Sequence, residues 1–439
     1  MLKNSYVFFI SLTAALGGFL FGFDTAVISG AEQAIQEIWQ LSDWMHGFSI
    51  AIALYGTVIG ALSAGYPANR FGRKPMLLLI GVLYTVSALG SALAPDVNTF
   101  MFFRFLGGLG VGASSVIAPM YISEIAPAGK RGMLVALFQF NVVLGILIAY
   151  FSNYLIALAD LESSWRWMLG VEIIPALLYS LLSIRLPRSP RWLIANRNDY
   201  EDARMVLTKT DPENVDHIIK NIEKEKAKME RKEGFFALFK KQYFKFTFMA
   251  ILIAFFNQLS GINAIIYFAP RIFESAGIST ENGLLSTMGI GFINVIATMI
   301  GLYLIDKMGR KFLLYLGSGG YLISLSLMAI SFSGDIIPSN LLPFFVFLFI
   351  AAHAVGSGSI IWAFIAEIFP NKLRAHGQSI GSFTHWFFAA IIANVFPFFA
   401  NTFGSSAIFW FFAIMMFIQL LWAIFVMPET KGRELEDIK

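Results

Sequence analysis

The chain lacks cysteine entirely, and only 14% of its 439 residues are charged. Disulfides and thiol chemistry are therefore excluded, whereas the cellular compartment stays open. A soluble protein normally carries about 25% charged residues. Because 57% of the residues are hydrophobic and the mean hydropathy is +0.68, the composition excludes an ordinary soluble globular protein.

Histidine is also scarce. The five histidines, at positions 46, 217, 353, 376 and 385, are scattered along the chain and form no metal-ligand cluster. The sequence contains no Ser/His/Asp constellation and no nucleotide-binding loop. We therefore expect no metal, no cofactor, no nucleic acid partner and no enzymatic activity.

Long apolar runs dominate what the sequence does contain. Twelve of them are close to the length of about 20 residues that crosses a bilayer as a helix. They lie at roughly 6–30, 46–68, 75–95, 98–122, 133–158, 166–186, 246–272, 282–305, 312–333, 340–366, 375–400 and 405–427. The first run is too long and too rich in glycine for a cleaved signal peptide. The sequence thus predicts an all-α polytopic membrane protein with twelve transmembrane helices, and the lipid bilayer as a partner.

Lysine and arginine are distributed unevenly between the two sides of these spans. Of the 32 such residues, 29 fall on the side of the termini, fifteen of them in 185–245. Only Arg166 and Arg271 fall towards the other side, and Arg104 lies inside a span. Because cytoplasmic segments carry an excess of positive residues, both termini are predicted to be cytoplasmic.

Two short motifs occur twice. NRFGRK at Asn69–Lys74 recurs as DKMGRK at Asp306–Lys311, and EIAPAGKR at Glu124–Arg131 recurs as EIFPNKLR at Glu367–Arg374. Each pair follows equivalent spans of a first and a second set of six. A duplicated six-span unit is typical of secondary transporters, whose substrate site lies between the halves.

The chain is predicted to divide into three parts. An N-terminal six-helix half covers 1–186, a cytoplasmic linker covers 187–245, and a C-terminal six-helix half with a short cytoplasmic tail covers 246–439. The linker contains DPENVDHIIKNIEKEKAKMERKE, whose charges and intermittent isoleucines indicate short amphipathic helices. A solvated linker is the alternative.

The duplicated motifs also predict a charge network on the cytoplasmic face. Its members are Arg73, Glu124, Arg131, Arg310, Glu367 and Arg374. The network would hold the halves together on that side while the other side is open. Exposed ion pairs are individually weak, so only a network biases the equilibrium by a few kcal/mol. Simple anchoring by positive charge is the alternative.

One charge stands inside the first span, in the stretch LGGFLFGFDTAVISG at 16–30. An ionised carboxylate such as Asp24 costs at least a few kcal/mol at membrane depth. Arg104, the only basic residue at comparable depth, offsets that cost if the two are buried together. The pair is either a permanent link between spans one and four or a proton switch, since burial favours protonation and a nearby arginine opposes it.

Amide side chains cluster in spans seven and eight. The candidates are Asn257, Gln258, Asn263 and Asn294, together with Gln139 in span five. Neutral amides donate to and accept from hydroxyl groups, so they suit a neutral polyol. Trp362 and Trp386 are candidates for packing against the apolar face of a sugar ring. Hydrogen bonding between helices is the alternative role of the amides.

Eight motifs occur in order along essentially the whole chain. They are GFDTAVISG, NRFGRK, PMYISEIAPAGKRG, LPRSPRWL, NQLSGINAIIYFAP, DKMGRK, EIFPNKLR and MPETKG. Together they resemble the sugar porter family of the major facilitator superfamily, which includes bacterial proton-linked xylose and hexose symporters and mammalian facilitative glucose transporters. Arg188 stands where the family has an acidic residue, so one cytoplasmic ion pair is not shared.

The resemblance implies a major facilitator fold in the cell membrane (inner or plasma membrane) and alternating-access transport of a monosaccharide. It implies sugar contacts for Gln139, Gln258, Asn263, Asn294, Trp362 and Trp386. Asn257 stands where the family usually has glutamine, so its reach is shorter. Tyr267 matches an outer-gate aromatic residue, and Gly356 and Gly358 lie where span ten bends. A monomer is sufficient for this mechanism.

Asp24 and Arg104 match the proton-linked members of the family, whereas the mammalian facilitators have Asn in place of the Asp. We therefore expect proton symport, with protons and a monosaccharide as partners. A uniporter of the same fold is the alternative, and a sugar-sensing receptor is a remote one. His353 and His385 resemble the fructose-selective mammalian facilitator, whereas Trp362 favours an aldohexose or pentose, so the identity of the sugar stays open.

Overall fold

The computed structural model describes residues 2–228, 234–333, 337–370 and 373–432. The described residues form helices without strands. The helices are α1 (Leu2–Val27), α2 (Glu32–Ile38), α3 (Asp43–Ser63), α4 (Gly65–Phe71), α5 (Arg73–Leu93), α6 (Val97–Ile125), α7 (Arg131–Leu158), α8 (Ser164–Gly170), α9 (Ile173–Ile184), α10 (Pro190–Trp192), α11 (Tyr200–Thr210), α12 (Val215–Lys228), α13 (Lys241–Leu259), α14 (Ile262–Ser275), α15 (Thr280–Met308), α16 (Arg310–Ser333), α17 (Leu342–Val355), α18 (Ser357–Glu367), α19 (Arg374–Phe403) and α20 (Ser405–Phe425).

Twelve helical segments within the described ranges are long and apolar enough to cross a membrane. The prediction of an all-α polytopic membrane protein with twelve transmembrane helices is therefore confirmed. Three spans consist of two helices each: α8 with α9, α13 with α14, and α17 with α18. These breaks matter for the site, because a broken helix exposes backbone groups and re-aims side chains at membrane depth.

Local chemistry explains where several of these helices begin or bend. Asp96 caps α6, since its side chain accepts the backbone N–H groups of Asn98 and Thr99. Gly261 adopts φ 85° between α13 and α14, a conformation that favours glycine. Pro270 lies inside α14 and lacks the N–H of a helical hydrogen bond, so the helix is distorted nearby.

The duplicated motifs adopt the same backbone. Gly72 has φ 94° and ψ 165°, and Gly309 has φ 88° and ψ 165°. In each motif the next residue, Arg73 or Arg310, donates from Nη1 to the carbonyl oxygen five residues earlier, at 3.1 and 2.9 Å respectively. The internal repeat therefore extends from the sequence to the turn and to the arginine that follows it.

The helices group into two compact units. The first comprises 1–24, 56–146 and 169–232, and the second comprises 25–55, 147–168 and 233–439. The second unit thus includes α2 and most of α3 as well as α13 to α20. Contacts in space therefore group the chain differently from its repeat, and the predicted division at 186 and 246 stays a prediction.

The linker forms a small packed structure within the first unit. Its buried apolar residues are Trp192, Leu193, Ile194, Ala203, Leu207, Val215, Ile219 and Ile222. Trp192 donates from Nε1 to the carbonyl oxygen of Asn69 at 2.7 Å, so this core is tied to the first duplicated motif. The guanidinium carbon of Arg188 lies 5.7 Å from the Trp192 ring centroid, as in a cation–π contact. The short helices α10, α11 and α12 lie in this segment, and its assignment as a cytoplasmic linker stays a prediction.

Glycines of the first span allow the backbones of α1 and α7 to touch. A Cβ atom on Gly22 would overlap the carbonyl oxygen of Val142, and one on Gly18 would lie 2.6 Å from the carbonyl oxygen of Phe138. A larger residue would separate the two helices. This close packing sets the position of Asp24, which follows Gly22 by two residues.

Candidate functional site

The first unit contains a buried ion pair between the first and fourth spans. Arg104 donates from Nη1 to Asp24 Oδ1 at 2.5 Å and from Nη2 to the Asp24 carbonyl oxygen at 3.2 Å. Each side chain is only 3% exposed. The structure thus brings together the two residues predicted for proton coupling, and that role stays a prediction.

A third ionisable residue belongs to this cluster and was missed by the sequence analysis. Glu172, between α8 and α9, is 1% exposed and interacts electrostatically with both Asp24 and Arg104. Two carboxylates and one guanidinium would leave a net negative charge in a buried position, which is unfavourable. The cluster therefore suits one ion pair and one proton. The sequence did offer a signal for Glu172, because it is an acidic residue inside a predicted span, in the stretch VEIIP.

A buried hydroxyl group lies against the same cluster. Tyr84 of α5 is 0% exposed and interacts with both Asp24 and Glu172. Ser87 lies one turn further along α5. Its hydroxyl group and the Asp24 carboxylate both lie next to Gly107 of α6, within 4 Å of where a Cβ atom would stand. These hydroxyls add proton donors and acceptors on the face of α5 that the carboxyl groups meet.

Three predicted amides form a hydrogen-bonded chain in the second unit. Asn263 donates from Nδ2 to Gln258 Oε1 at 2.5 Å, and Gln258 donates from Nε2 to Asn257 Oδ1 at 2.9 Å. The break at Gly261 lets α13 and α14 contribute residues to one chain. Within the described part of the protein, Asn257 Nδ2 has no hydrogen-bond partner, so a buried donor remains for a ligand.

Aromatic residues of α18 and α19 join this amide chain. The Gln258 Nε2 atom lies 3.1 Å from both ring nitrogens of His385. The His385 ring centroid lies 5.0 Å from the Trp362 ring and 4.8 Å from the Trp386 ring. Predicted site residues from spans seven, ten and eleven therefore meet in one cluster, which we call the amide–aromatic cluster: Asn257, Gln258, Asn263, Trp362, His385 and Trp386.

His353 of α17 is held by a residue that the sequence analysis missed. The Tyr321 hydroxyl of α16 lies 2.6 Å from His353 Nδ1. When the phenol donates, Nδ1 accepts, and the neutral ring carries its proton on Nε2. A Cβ atom on Gly358 would lie 3.1 Å from that Nε2 atom. Tyr321 lies inside an apolar span without a motif, so no sequence signal singled it out.

The remaining predicted binding and gate residues belong to α7, α14, α15 and the junction of α17 with α18. Asn294 of α15 is 9% exposed and accepts from Thr298 at 3.4 Å. Tyr267 is 2% exposed and precedes the distorted part of α14. Gln139 is half-buried on α7 in the first unit. Gly356 separates α17 from α18, and a Cβ atom there would lie 2.7 Å from the Gly317 Cα atom.

Each unit contains one ion pair of the predicted charge network. In the first unit, Arg73 Nη2 lies 2.7 Å from Glu124 Oε1. In the second unit, Arg310 Nη2 lies 2.7 Å from Glu367 Oε1. Neither Arg131 nor Arg374 forms an ion pair with another residue that the structure describes. The network role stays a prediction.

Glu429 supports the pair in the second unit and was missed by the sequence analysis. It accepts the backbone N–H groups of Arg310 and Lys311, each at 3.0 Å, and its neighbour Thr430 donates to Glu367 at 2.6 Å. Burial raises the pKa of Glu429, but its backbone hydrogen bonds outweigh burial and leave this pKa below its ordinary value. Glu429 lies in the motif MPETKG, which was the available signal.

The chain is similar to known transporters along nearly its whole length. The family model described as "Sugar (and other) transporter" matches residues 10–439. The chain is 37% identical over 440 residues to the arabinose-proton symporter of Bacillus subtilis, covering 99% of this chain and 94% of the relative. It is 36% identical over 455 residues to the glucose transport protein of Synechocystis, covering 99% and 97%. The xylose transporter XylE from Escherichia coli, in a partially occluded inward open conformation, is similar in structure, with a TM-score of 0.87, 32% identity, and coverage of 98% and 100%.

Proposed function

The chain belongs to the sugar transporter family, and on this premise we propose that it is a proton-coupled symporter that imports a neutral monosaccharide by alternating access. The observation that carries the proposal is the buried cluster of Asp24, Arg104 and Glu172. Ionisable groups at membrane depth are costly and generally functional. The names of two relatives, an arabinose-proton symporter and a glucose transport protein, support the same class of substrate.

Protons are proposed to bind at this cluster. With both carboxyl groups ionised, Arg104 neutralises only one, and a proton on Asp24 or Glu172 removes the remaining charge. A movement of span one relative to span four alters the Asp24–Arg104 contact and with it the affinity for the proton. Linkage then makes proton binding shift the balance between open and closed states.

Facilitative uniport is the second candidate function. The Asp24–Arg104 pair is short, at 2.5 Å, and buried. A pair that stays closed throughout the transport cycle would hold spans one and four together and carry no proton. The two functions differ in one property, namely whether a proton gradient drives accumulation of sugar.

The sugar is proposed to bind at the amide–aromatic cluster. Asn257 retains a buried donor, and amides offer both donors and acceptors to adjacent hydroxyl groups. Trp362 and Trp386 supply apolar faces for the sugar ring. Because amides are uncharged, they suit a neutral hexose or pentose. Fructose, glucose and xylose are the candidates for this sugar.

Orientation is proposed from the distribution of charge. Since 29 of 32 lysines and arginines fall on the side of the termini, we place both termini in the cytoplasm and the chain in the cell membrane, inner or plasma. The Arg73–Glu124 and Arg310–Glu367 pairs then face the cytoplasm. A monomer is sufficient for this mechanism, and it requires neither a cofactor nor an enzymatic step.

Purified protein in proteoliposomes tests the proposal. Glucose, fructose, xylose, galactose and inositol compete with one labelled sugar, with and without a proton gradient, while the external pH is recorded. We expect accumulation driven by the gradient and alkalinisation outside on addition of sugar. Wild-type protein that transports sugar without alkalinisation would overturn the coupling. A panel in which no monosaccharide competes better than inositol would overturn the substrate class.

The substitution Asp24→Asn distinguishes symport from uniport. We expect it to remove accumulation and to leave exchange of labelled for unlabelled sugar. Glu162→Gln, at an exposed acidic residue, is the matched control and should leave both activities unchanged. Accumulation that persists in Asp24→Asn would assign the proton to another residue.

A further inference from the structure

A second buried charge cluster lies at the ends of the spans opposite to the termini. Glu32, the first residue of α2, is 0% exposed. Its carboxylate contacts Arg271 of α14 twice, from Nε at 3.0 Å and from Nη2 at 2.7 Å. The same carboxylate lies 2.7 Å from Nε2 of His46 on α3, which is also 0% exposed. One carboxylate therefore bridges two helices that are distant in sequence.

Further hydrogen bonds extend this bridge on both of its sides. Gln36 of α2 accepts from Arg271 Nη2 at 2.7 Å and donates to Asp43 at 3.1 Å. Gln33 donates to Glu274 of α14 at 2.8 Å. The short helix α2 is thus bound to α14 at two points one turn apart.

The bridge also lies against the distorted part of α14. The His46 ring packs edge-on against Phe268, with centroids 6.0 Å apart. Phe268 has a non-helical backbone (φ −116°, ψ 18°), and it follows Tyr267, the predicted gate residue. The charge cluster therefore contacts the segment of span seven that bends.

The transport site does not account for these residues. Arg271 is one of only two cations that the sequence places on this side of the membrane. Burial raises the pKa of Glu32, but the hydrogen bond from His46 and the charge of Arg271 outweigh burial and leave this pKa below its ordinary value. Glu32 is thus a fully buried carboxyl group, and its negative charge is unfavourable there unless it stays paired.

The bridge connects the two halves of the repeat. Glu32 and His46 precede residue 187, whereas Arg271 follows residue 246. In alternating access the two halves rock about the substrate site, so contacts between them on one side form when that side closes. Resting on the proposed transport function, we propose that Glu32, His46 and Arg271 form an outer latch, which stabilises the closed state of this side and separates whenever it opens to sugar.

The natural absence of cysteine makes the latch directly testable. Ser49 is 0% exposed and lies three residues after His46, on the same face of α3. The substitution Ser49→Cys is nearly isosteric and introduces a single buried thiol next to His46 of the latch. A membrane-impermeant maleimide, added outside intact cells without sugar, then reports how often this side opens.

We expect Arg271→Gln and Glu32→Gln each to raise the labelling rate of Ser49→Cys by about tenfold, because a broken buried pair loses its stabilisation of the closed state. The double substitution should add little to either single change, since both remove one interaction. Arg166→Gln, at the other cation on this side, is the matched control and should leave labelling unchanged. Equal labelling in the Arg271→Gln, Glu32→Gln and unsubstituted backgrounds would overturn the latch.

A milder variant keeps the test valid if a buried substitution impairs folding. Gln36→Ala removes one support of Arg271 at a half-buried position, and we expect a smaller increase in labelling. No increase in this variant, when it elutes as the unsubstituted protein does, would count against the latch. Because labelling requires neither sugar nor a proton gradient, a failure of the latch and a failure of proton-coupled sugar transport are distinguishable.

Discussion

Arg104 binds both the side chain and the backbone of Asp24, with Nη1 at 2.5 Å from Oδ1 and Nη2 at 3.2 Å from the carbonyl oxygen. The contacts of the Arg104 guanidinium therefore depend on the backbone position of span one as well as on the charge of the Asp24 carboxylate. A shift of α1 along α6 changes both contacts together. This arrangement provides a physical route from helix movement to proton affinity.

Neutralising Glu172 should shift the pH dependence of transport. Glu172→Gln keeps the shape of the side chain and removes one of the two carboxyl groups around Arg104. Without a second carboxyl group, Asp24 and Arg104 already balance each other's charge, so the cluster is less favourable for an added proton. We expect the pH of half-maximal accumulation in proteoliposomes to move towards acid by about one unit.

Glu162→Gln is the control for this shift, since Glu162 is exposed. Its pH profile should coincide with that of the unsubstituted protein. An unchanged profile in Glu172→Gln would remove Glu172 from the proton site.

Tyr321 should act on sugar affinity through His353. Tyr321→Phe removes the hydroxyl that lies 2.6 Å from His353 Nδ1, so the ring is no longer held in one tautomer. One hydrogen bond contributes about 1 kcal/mol, and we expect the KM for sugar to rise about fivefold, with maximal rate and accumulation ratio retained. Radiolabelled uptake measures all three quantities.

Tyr315→Phe is the matched control on the same helix, because the Tyr315 hydroxyl donates to the carbonyl oxygen of Ala423 and not to His353. It should leave KM unchanged. A fall in maximal rate without a change in KM for Tyr321→Phe would contradict a role in holding the sugar site.

Gly22→Ala should destabilise the packing of α1 on α7. Its new Cβ atom would overlap the carbonyl oxygen of Val142, and overpacking of this kind costs about 1–3 kcal/mol. We expect a lower midpoint of thermal unfolding in detergent. Gly65→Ala is the control, since a Cβ atom there meets no atom within 4 Å; equal midpoints for the two variants would refute the close approach.

Glu429 should stabilise the protein only above acidic pH. Its native pKa lies below the ordinary value of 4.5, so its stabilisation is present above that value and is lost as the pH falls through the native pKa. We expect Glu429→Gln to lower the thermal midpoint at pH 7 and to lose this difference at the acid end of the range.

Glu201→Gln, at an exposed residue of α11, is the control for Glu429→Gln and should show no difference at any pH. A destabilisation of Glu429→Gln that is independent of pH would mean that the side chain contributes by packing and not by charge.

The fold was largely predictable because the composition of each local segment determines whether it can span a membrane. Span length and apolar content follow from the thickness of the bilayer, and the twelve predicted spans agree with the structure. The repeat of NRFGRK as DKMGRK extends to the backbone, since Gly72 and Gly309 adopt matching positive φ values. The breaks inside spans seven and ten were visible only as glycines, without their geometry.

Many residues of the candidate site were predictable from the sequence, but the residues that they contact were not. Asp24 stood out because a charge in an apolar run is costly, and the same criterion applied to Glu172 would have found it. Tyr321 and Glu32 carried no such signal, since a tyrosine in a span and an acidic residue just after one are both ordinary. Their importance arises from contacts with His353 and Arg271, which lie far away in the sequence.

By itself, then, the sequence determined the number of spans, the duplication, the family and the residue types of the site, because each follows from local composition or from motifs in order. Only the tertiary structure decided which charges meet: Glu172 with Asp24, Glu32 with Arg271 and His46, and Glu367 with Arg310. Charges interact most strongly over a few ångströms, and such distances between residues of different helices depend on how the helices pack.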